Sequence, residues 1–376
     1  MDLGSIRIIR RFGQLRSADW LFLLSLFALL ALGLSAIYSV ELSQATGDFL
    51  NVKKQIIAMG IGGAVFFVVA LSNYKSLQNY SLAFYVLSCA LLLVVLFFGN
   101  TIRGSTGWFV VGPVSFQPVE MMKVSLVIAL ATYFSRKARR PFGMRSLLES
   151  GLITAFPITL VMLQPDFGSA SVLFGLWFVV MVFAGLPWRY ITLLGGLGSG
   201  LFYLSWQFFF ADYQRARILT FLDPSLDPLG QGYNVTQAII AIGSGGLFGS
   251  GLGFGTQSQL KFLPESQTDF IFAVIAEELG FFGVSLLILA FALMFWRLWQ
   301  MARRSQDDFT AHLLLGAGAV IFIQFFVNVG MNLGIFPVTG IGLPFVSYGG
   351  SSLVVMFVLA AIIQSIAIRT RGSHPR

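Results

Sequence analysis

The sequence predicts an all-α polytopic membrane protein, and three observations carry that prediction. Only 11% of its 376 residues are charged, against about 25% in a soluble domain. Mean hydropathy is +0.82, and the 39 phenylalanines are spread along the chain instead of gathered into one core. Several apolar runs reach the roughly 18–20 residues that cross a bilayer as a helix. Because a helix satisfies its own backbone in lipid, a succession of such runs reads as a helical bundle.

The chain begins with a polar segment, 1–18, carrying Arg7, Arg10, Arg11 and Arg16. A cleavable signal peptide is not expected, since the next apolar run is full length and no small-residue cleavage site ends it. About ten spans follow, at 19–40, 54–72, 78–98, 117–135, 147–164, 167–185, 188–210, 269–297, 310–333 and 345–368. Gln164-Pro165-Asp166-Phe167-Gly168 reads as a tight turn between two of them. The 269–297 run is long enough to tilt or to project from the bilayer. Residues 19–368 therefore form a single transmembrane domain, with a large loop at 211–268 between spans 7 and 8 and a tail at 369–376.

Charge orients this bundle. An even number of spans puts both termini on one side, together with Lys75, Arg136, Lys137, Arg139, Arg140, Arg145, Arg189, Arg297, Arg303, Arg304, Arg369, Arg371 and Arg376. The other side holds Lys53, Lys54, Arg103, Arg215, Arg217 and Lys261. The positive-inside rule makes both ends cytoplasmic and the 211–268 loop extracytoplasmic. The net charge of +8 then reflects topology and anionic lipid headgroups, and nucleic acid is excluded as a partner. A lone Cys89 forbids an intrachain disulfide, and His312 and His374 do not make a zinc site.

A loop of about 60 residues is uncommon without a functional reason. Within it, Gln237 to Gly243 is too short to span and suits a re-entrant or surface-lying helix, which survives at depth only inside protein or beside a wet cavity. The glycines at 243, 245, 246, 249, 251, 253 and 255 follow no strand and contain no G-x-G-x-x-G, so a Rossmann site fails. They permit either tight turns or backbone amides that hold a pyrophosphate.

Few residues here can carry chemistry. Glu120 and Lys123 share one helix face at i and i+3, either as a cavity lining or as a packing ion pair. Asp269 stands where the polar loop turns into an apolar helix. There it or Thr268 either caps the helix, or Asp269 accepts a proton from a substrate hydroxyl at the outer boundary. Glu277 and Glu278 lie two to three turns deeper, as cavity or structural carboxylates, where Asn328, Asn332 or water are expected partners. Asp166 reads as a helix cap or an outer-face carboxylate. Arg103, Arg215, Arg217 and Lys261 are solvated loop cations or, with Lys123, the surround of a diphosphate. Phe345 to Ser352 opens the last span with small and hydroxyl residues, Ser347 and Ser351 among them, which line a cavity or let helices pack closely.

Together these stretches resemble the SEDS family (shape, elongation, division and sporulation) of cell-wall polymerases. The matching residues are Arg103-Gly-Ser-x-x-Trp108, Phe116-Gln-Pro-x-Glu120-x-x-Lys123 and Gln164-Pro-Asp-Phe-Gly168. They continue through Ala241-Ile-Gly-Ser-Gly-Gly246, Gly255-Thr-Gln-Ser-Gln259 and Leu263-Pro-Glu-x-x-Thr-Asp269 to Glu278, then Gly330-Met-Asn332, Pro337-Val-Thr-Gly and Phe345 to Ser352. The short polar N-terminus and the Gly-Thr-Gln-Ser-Gln stretch look more like the elongation member than the division member. Three positions depart from the family pattern: Gly107 where Arg is usual, Val119 where Ser is usual, and Gln267 where His is common. The loss of that Arg puts part of the sugar or diphosphate contact in doubt, and the loss of the His argues against an imidazole in the chemistry.

The resemblance implies a multi-pass protein of the bacterial cytoplasmic membrane that polymerises lipid II, an undecaprenyl-diphosphate-linked disaccharide peptide, at the outer face for cell elongation. It implies a class B penicillin-binding transpeptidase as partner, alongside membrane lipids. Asp269 would be the catalytic base, and Glu120 and Lys123 would line the central cavity. No cofactor is implied as certain; a divalent cation, Mg or Mn, is the one candidate. The donor is α-linked and the product β-1,4, so one displacement inverts the anomeric carbon. That needs a base for the acceptor hydroxyl and positive charge for the leaving diphosphate. A transporter or flippase would need polar groups reachable from both faces, and these motifs crowd one face. A non-catalytic scaffold for the transpeptidase would have no need of Asp269, Glu120 and Lys123.

Overall fold

The structure, a computed structural model, describes residues 17–42, 49–102, 104–112, 114–137, 141–209, 215, 219–227 and 230–372. The first two helices begin where a carboxylate meets the first free amides. Asp19 accepts from Phe22 N at 3.1 Å and opens α1 (Trp20–Leu42). Glu41 at its far end reaches over to accept Asn51 N at 2.7 Å and Val52 N at 3.1 Å, closing the start of α2 (Leu50–Leu71). After a short turn at Ser76–Asn79 comes α3 (Ser81–Phe98). Then follow α4 (Pro118–Lys137), α5 (Met144–Met162), α6 (Phe167–Phe183) and α7 (Trp188–Leu204), which runs on as a π-turn through Ser205–Phe209. The long loop contains α8 (Gln231–Ser244) and α9 (Thr256–Gln259), and the bundle closes with α10 (Ile271–Arg303), α11 (Asp308–Asn332) and α12 (Gly350–Gly372).

A helix lies in each expected run. Among the described residues, eight helices are long and apolar enough to cross a membrane: α1 to α5 and α10 to α12. The α6 helix is apolar but has 17 residues, and α7 also has 17. The most buried helices are α4 and α12. Against them α12 packs along α2, α11 along α4 and α6, and α10 along α1 and α11. The α7 helix buries only Tyr190 and lies at the edge.

Two features were not expected. The segment after α3 is not a loop but an antiparallel sheet in the order β1-β2-β3, formed by Asn100–Ile102, Ser105–Val111 and Val114–Phe116. Trp108-Phe109-Val110-Val111 are strand-favouring residues, and Gly104 (φ 82) and Gly112 (φ 59) take the left-handed conformations that tight hairpin turns demand. Second, Arg297 is not a basic loop charge. It is buried, with Nε 3.1 Å from both oxygens of Asp19 and Nη2 2.5 Å from Oδ2. This fork-to-fork pair pins α10 to the start of α1.

Candidate active site

Asp269 lies just ahead of α10, 8% exposed. The helix starts at Ile271 with Phe270 as its N-cap, which offers no side-chain cap, and the first-turn amide of Ala273 is met by Asn332 Oδ1 at 3.2 Å, so the capping roles expected for Thr268 and Asp269 do not hold. The main chain around Asp269 is instead gripped residue by residue. The Asp269 carbonyl accepts Asn328 Nδ2 at 2.9 Å and Asn332 Nδ2 at 3.0 Å, both from α11. The Thr268 carbonyl accepts Ser347 Oγ at 2.6 Å, and the Gln267 carbonyl accepts Tyr348 N at 2.8 Å. Asn51 on α2 donates to Gln267 Oε1 at 2.8 Å. One turn further along α2, Gln55 bonds Ser347 O at 3.3 Å and accepts Gly349 N at 3.3 Å. Three segments distant in sequence thus hold three consecutive residues, and Asp269 Oδ2 faces Gly340, where an added Cβ would stand 3.9 Å away.

The Thr339 to Ile341 strand of loop joins this carboxylate to the other motifs. Asn328 Nδ2 also donates to Ile341 O at 2.8 Å. A Cβ on Gly168 would meet Thr339 O at 2.3 Å, so only glycine lets the start of α6 come this close. Asp166 caps that helix, accepting Ser169 N at 2.9 Å and Ser169 Oγ at 2.7 Å. It also accepts Gln117 Nε2 at 3.2 Å, which links it to the turn before α4. Gln164, buried, donates to Leu92 O at 3.0 Å and its carbonyl accepts Thr106 N at 3.3 Å, fixing the hairpin to the α5–α6 turn. Gly107 fits there because a Cβ would approach Gln164 Oε1 to 3.1 Å. Val119 is fully packed.

Glu120 and Lys123 form a buried ion pair at 2.8 Å, and Glu120 Oε2 is buried without a hydrogen-bond partner. An uncompensated lone pair inside a bundle is costly and calls for an explanation. Of the other cations, Arg103 and Arg217 lie outside the described residues. Arg215 donates to Gln207 O at 3.5 Å, and Lys261 is an exposed turn residue with φ 60. Neither makes a hydrogen bond or ion pair with Glu120 or Lys123. Ser347 is a latch between Thr268 O and Leu343 N, in a loop that precedes the last helix and does not open it. Ser351 sits in the first turn of α12.

The glycine-rich segment serves close packing. At Gly280 (φ 60, ψ −158) α10 breaks, which frees backbone groups on both sides of the kink. Ser250 N and Gly251 N donate to the Glu277 and Glu278 carbonyls at 3.0 Å each, and Phe281 N and Phe282 N donate to Gly246 O and Leu247 O at 2.9 and 3.1 Å. A Cβ on Gly245 would lie 1.9 Å from Ala276 O. The amides of Ser250 and Gly251, which a pyrophosphate reading would need, are spent on the helix.

Glu277 and Glu278 do not bond Asn328 or Asn332, which serve Asp269. Glu277 accepts Gln257 N at 2.6 Å, Ser258 N at 3.1 Å and Thr256 Oγ1 at 3.3 Å, so it caps α9 from across the bundle. Glu278 accepts Ser258 Oγ at 3.2 Å and Gln259 Nε2 at 3.1 Å. Glu277 is a structural carboxylate of the Gly-Thr-Gln-Ser-Gln stretch, and Glu278 is tied to that stretch through Oε1 while its Oε2 is buried without a hydrogen-bond partner among the described residues. Among the described residues no three His, Cys, Asp or Glu side chains come together to hold a metal ion.

Sequence reasoning missed Asn51, Gln55, Glu41, Asp19 and the role of Arg297. The signal for two of them was present: Asn51 and Gln55 are amides at i and i+4 at the mouth of an apolar helix, and so share one face.

These features define a multi-pass helical membrane protein with one polar site built where several helix ends and loops meet a buried aspartate. The chain belongs to the cell cycle protein family of FtsW, RodA and SpoVE, whose family model matches residues 19–372. It is 38% identical over 352 residues to the peptidoglycan glycosyltransferase MrdB of Escherichia coli, covering 93% of each chain. It is 36% identical over 365 residues to the stage V sporulation protein E of Bacillus subtilis, covering 94% of this chain and 98% of the relative. Among solved structures, a chain of a peptidoglycan synthase complex that coordinates polymerization and crosslinking superposes with TM-score 0.79 at 34% identity, over 95% of this chain and 99% of that one. The rod shape determining protein RodA of Thermus thermophilus gives TM-score 0.69 at 31% identity, over 93% and 96%. Family and spans make it a protein of the bacterial inner membrane.

Proposed function

We propose that this protein is a peptidoglycan glycosyltransferase that polymerises lipid II at the outer face of the cytoplasmic membrane during cell elongation, with Asp269 as general base. The observation that carries the assignment is the grip on Asp269. Its backbone is clamped by α11, by the Ser347–Tyr348 loop and through Gln267 by α2, while one carboxylate oxygen faces the small residue Gly340. A base held this way is positioned before the substrate arrives, which is what lowers an activation barrier.

In the proposed step Asp269 takes the proton of the acceptor GlcNAc 4-hydroxyl as that oxygen bonds the donor's anomeric carbon. The bond from that carbon to the diphosphate oxygen breaks on the opposite side, its electron pair leaving with the undecaprenyl diphosphate. Inversion follows from the single displacement, and the diphosphate needs no second carboxylate to protonate it. Glu120 and Lys123 line the cavity, with Glu120 Oε2 as its open acceptor. Arg103, Arg215, Arg217 and Lys261 are the cations of that outer face available to the diphosphate. A class B penicillin-binding transpeptidase is the proposed partner, supported by the likeness to a synthase that couples polymerization to crosslinking.

The test is incubation of purified protein, with and without its transpeptidase, with fluorescent lipid II, followed by gel separation. A glycan ladder that disappears in a folded Asp269→Asn protein is expected. A ladder undiminished in that variant removes Asp269 as base, and no ladder with the partner present removes the enzymatic reading.

A further inference from the structure

The opposite end of α10 carries a second feature, unconnected with the polymerase chemistry. Beyond the Gly280 kink the helix runs from Phe281 to Arg303, about 34 Å at the helical rise, close to the roughly 30 Å thickness of a hydrocarbon core. Its last turns therefore emerge at a membrane boundary. There Trp296, Trp299, Gln300, Arg303 and Arg304 line one cavity of about 540 Å³. Their spacing, i, i+3, i+4, i+7 and i+8, puts all five on a single stripe of the helix, while Arg297 and Leu298 turn inward.

Every polar group on that stripe is left as a donor. Gln300 Oε1 is occupied by Arg297 Nη1 at 2.5 Å, and Arg297 is itself committed to Asp19, so Gln300 offers its amide hydrogens. Arg303 and Arg304 are exposed and make no ion pair among the described residues. The next carboxylate along the chain, Asp307, accepts Thr310 N and Thr310 Oγ1 at 2.7 Å each and faces Lys75 at 3.8 Å. No carboxylate lines the cavity. The walls are aromatic: Trp296 and Trp299 are 50% and 46% exposed, yet each is braced, Trp296 by the Arg297 guanidinium 5.5 Å from its ring and Trp299 by Phe183 at 6.2 Å.

We propose that this stripe is a binding site for an anionic membrane glycerophospholipid. The phosphate lies between Arg303, Arg304 and the Gln300 amide, and the glycerol and upper acyl carbons lie against the two tryptophans. The ligand must be anionic because the site presents donors without acceptors. It must be amphiphilic because the donors sit directly beside aromatic faces at the lipid boundary, where Trp is the favoured side chain and basic pockets between helices take lipid headgroups. The basic loops mark this as the inner leaflet.

Full-length protein in detergent, titrated with phosphatidylglycerol and followed by native mass spectrometry, tests the assignment without reference to polymerisation. Saturable one-lipid adducts are expected with phosphatidylglycerol and at least tenfold weaker ones with phosphatidylcholine. An R303Q/R304Q protein should lose roughly thirtyfold in affinity, two charges' worth of headgroup attraction, and W299A severalfold, while K53Q changes nothing. Both arginines are exposed, so the double variant keeps its fold, which an unchanged melting temperature verifies. Equal losses in K53Q, undiminished adducts in R303Q/R304Q, or equal binding of phosphatidylcholine would each overturn the site. Displacement of the lipid by millimolar inorganic phosphate, with W299A unchanged, would replace it with a soluble-anion site.

Discussion

Asn328 reaches the carbonyl of Asp269 at 2.9 Å and the carbonyl of Ile341 at 2.8 Å with the same side-chain nitrogen. One amide thereby sets the distance between the proposed base and the loop strand that carries Gly340. Asn328 is fully buried, so neither carbonyl has water as a substitute. Replacing it with Ala strands the Ile341 carbonyl, at about 1–3 kcal/mol, and leaves the Asp269 carbonyl to Asn332 alone. The expected result for Asn328→Ala is a thermal melting temperature lowered by several degrees in detergent. Polymerisation by the remaining folded protein should fall by more than tenfold, read as the initial rate of glycan ladder formation.

The amide pair Asn51–Gln267 spans α2 and the residue two positions before Asp269. A double-mutant cycle of Asn51→Ala and Gln267→Ala should show coupling of about 0.5–1.5 kcal/mol in stability, the net worth of a partly buried hydrogen bond. Additive effects would mean that the pair does not hold the loop. Gln267→His, which restores the side chain common in the family, should retain activity, because Asn51 can still donate to an imidazole nitrogen.

Glu277 is held by two backbone amides and a hydroxyl of α9. Glu277→Gln replaces one acceptor oxygen with a donor facing an amide N–H, so it should destabilise almost as much as Glu277→Ala, by roughly 2–4 kcal/mol. Thermal unfolding in detergent, with hydrogen exchange at Gln257 and Ser258, is the readout. A neutral Glu277→Gln would show that the carboxylate is not the cap.

Gly245→Ala would drive a methyl to 1.9 Å from Ala276 O, and the neighbouring Gly249 holds φ 79 against Glu278 O. Either alanine should cut folded yield severely, while Gly243→Ala, with open space around it, should be tolerated. Comparable yields across the three would contradict the docking of this segment on the kinked helix.

Breaking the buried Asp19–Arg297 pair leaves one uncompensated charge, at about 3–5 kcal/mol. Asp19→Asn and Arg297→Leu singly should each lower the melting temperature by more than the Asp19→Asn/Arg297→Leu double variant does. A double variant worse than both singles would show that the two side chains act separately.

The all-helical membrane class, the approximate position of each helix and the candidate carboxylates were legible because they are written in local composition. An apolar run of membrane length has no other stable use, and charges in such a chain are too few to be missed. The sheet at 100–116 was hidden because its strands are short and half-exposed, and its turns were read as loop. The partners of the polar residues were not legible either. Glu277 and Asn328 lie in neighbouring helices and could have met, but Glu277 bonds the Gly-Thr-Gln-Ser-Gln stretch and Asn328 bonds Asp269.

By itself, then, the sequence determined that this protein lives in a bilayer, which groups in it are chemically capable, and which family pattern they follow. All three depend on residue type and spacing along the chain. Tertiary structure decided which of those groups act together. It made Glu120 and Lys123 a pair with one open acceptor, tied Glu277 and Glu278 to the Gly-Thr-Gln-Ser-Gln stretch, spent the glycines on backbone contact, and clamped Asp269 from α2, α11 and the Ser347 loop. Those assignments depend on hydrogen bonds between residues up to 294 positions apart, and distance along the chain carries no information about distance in space.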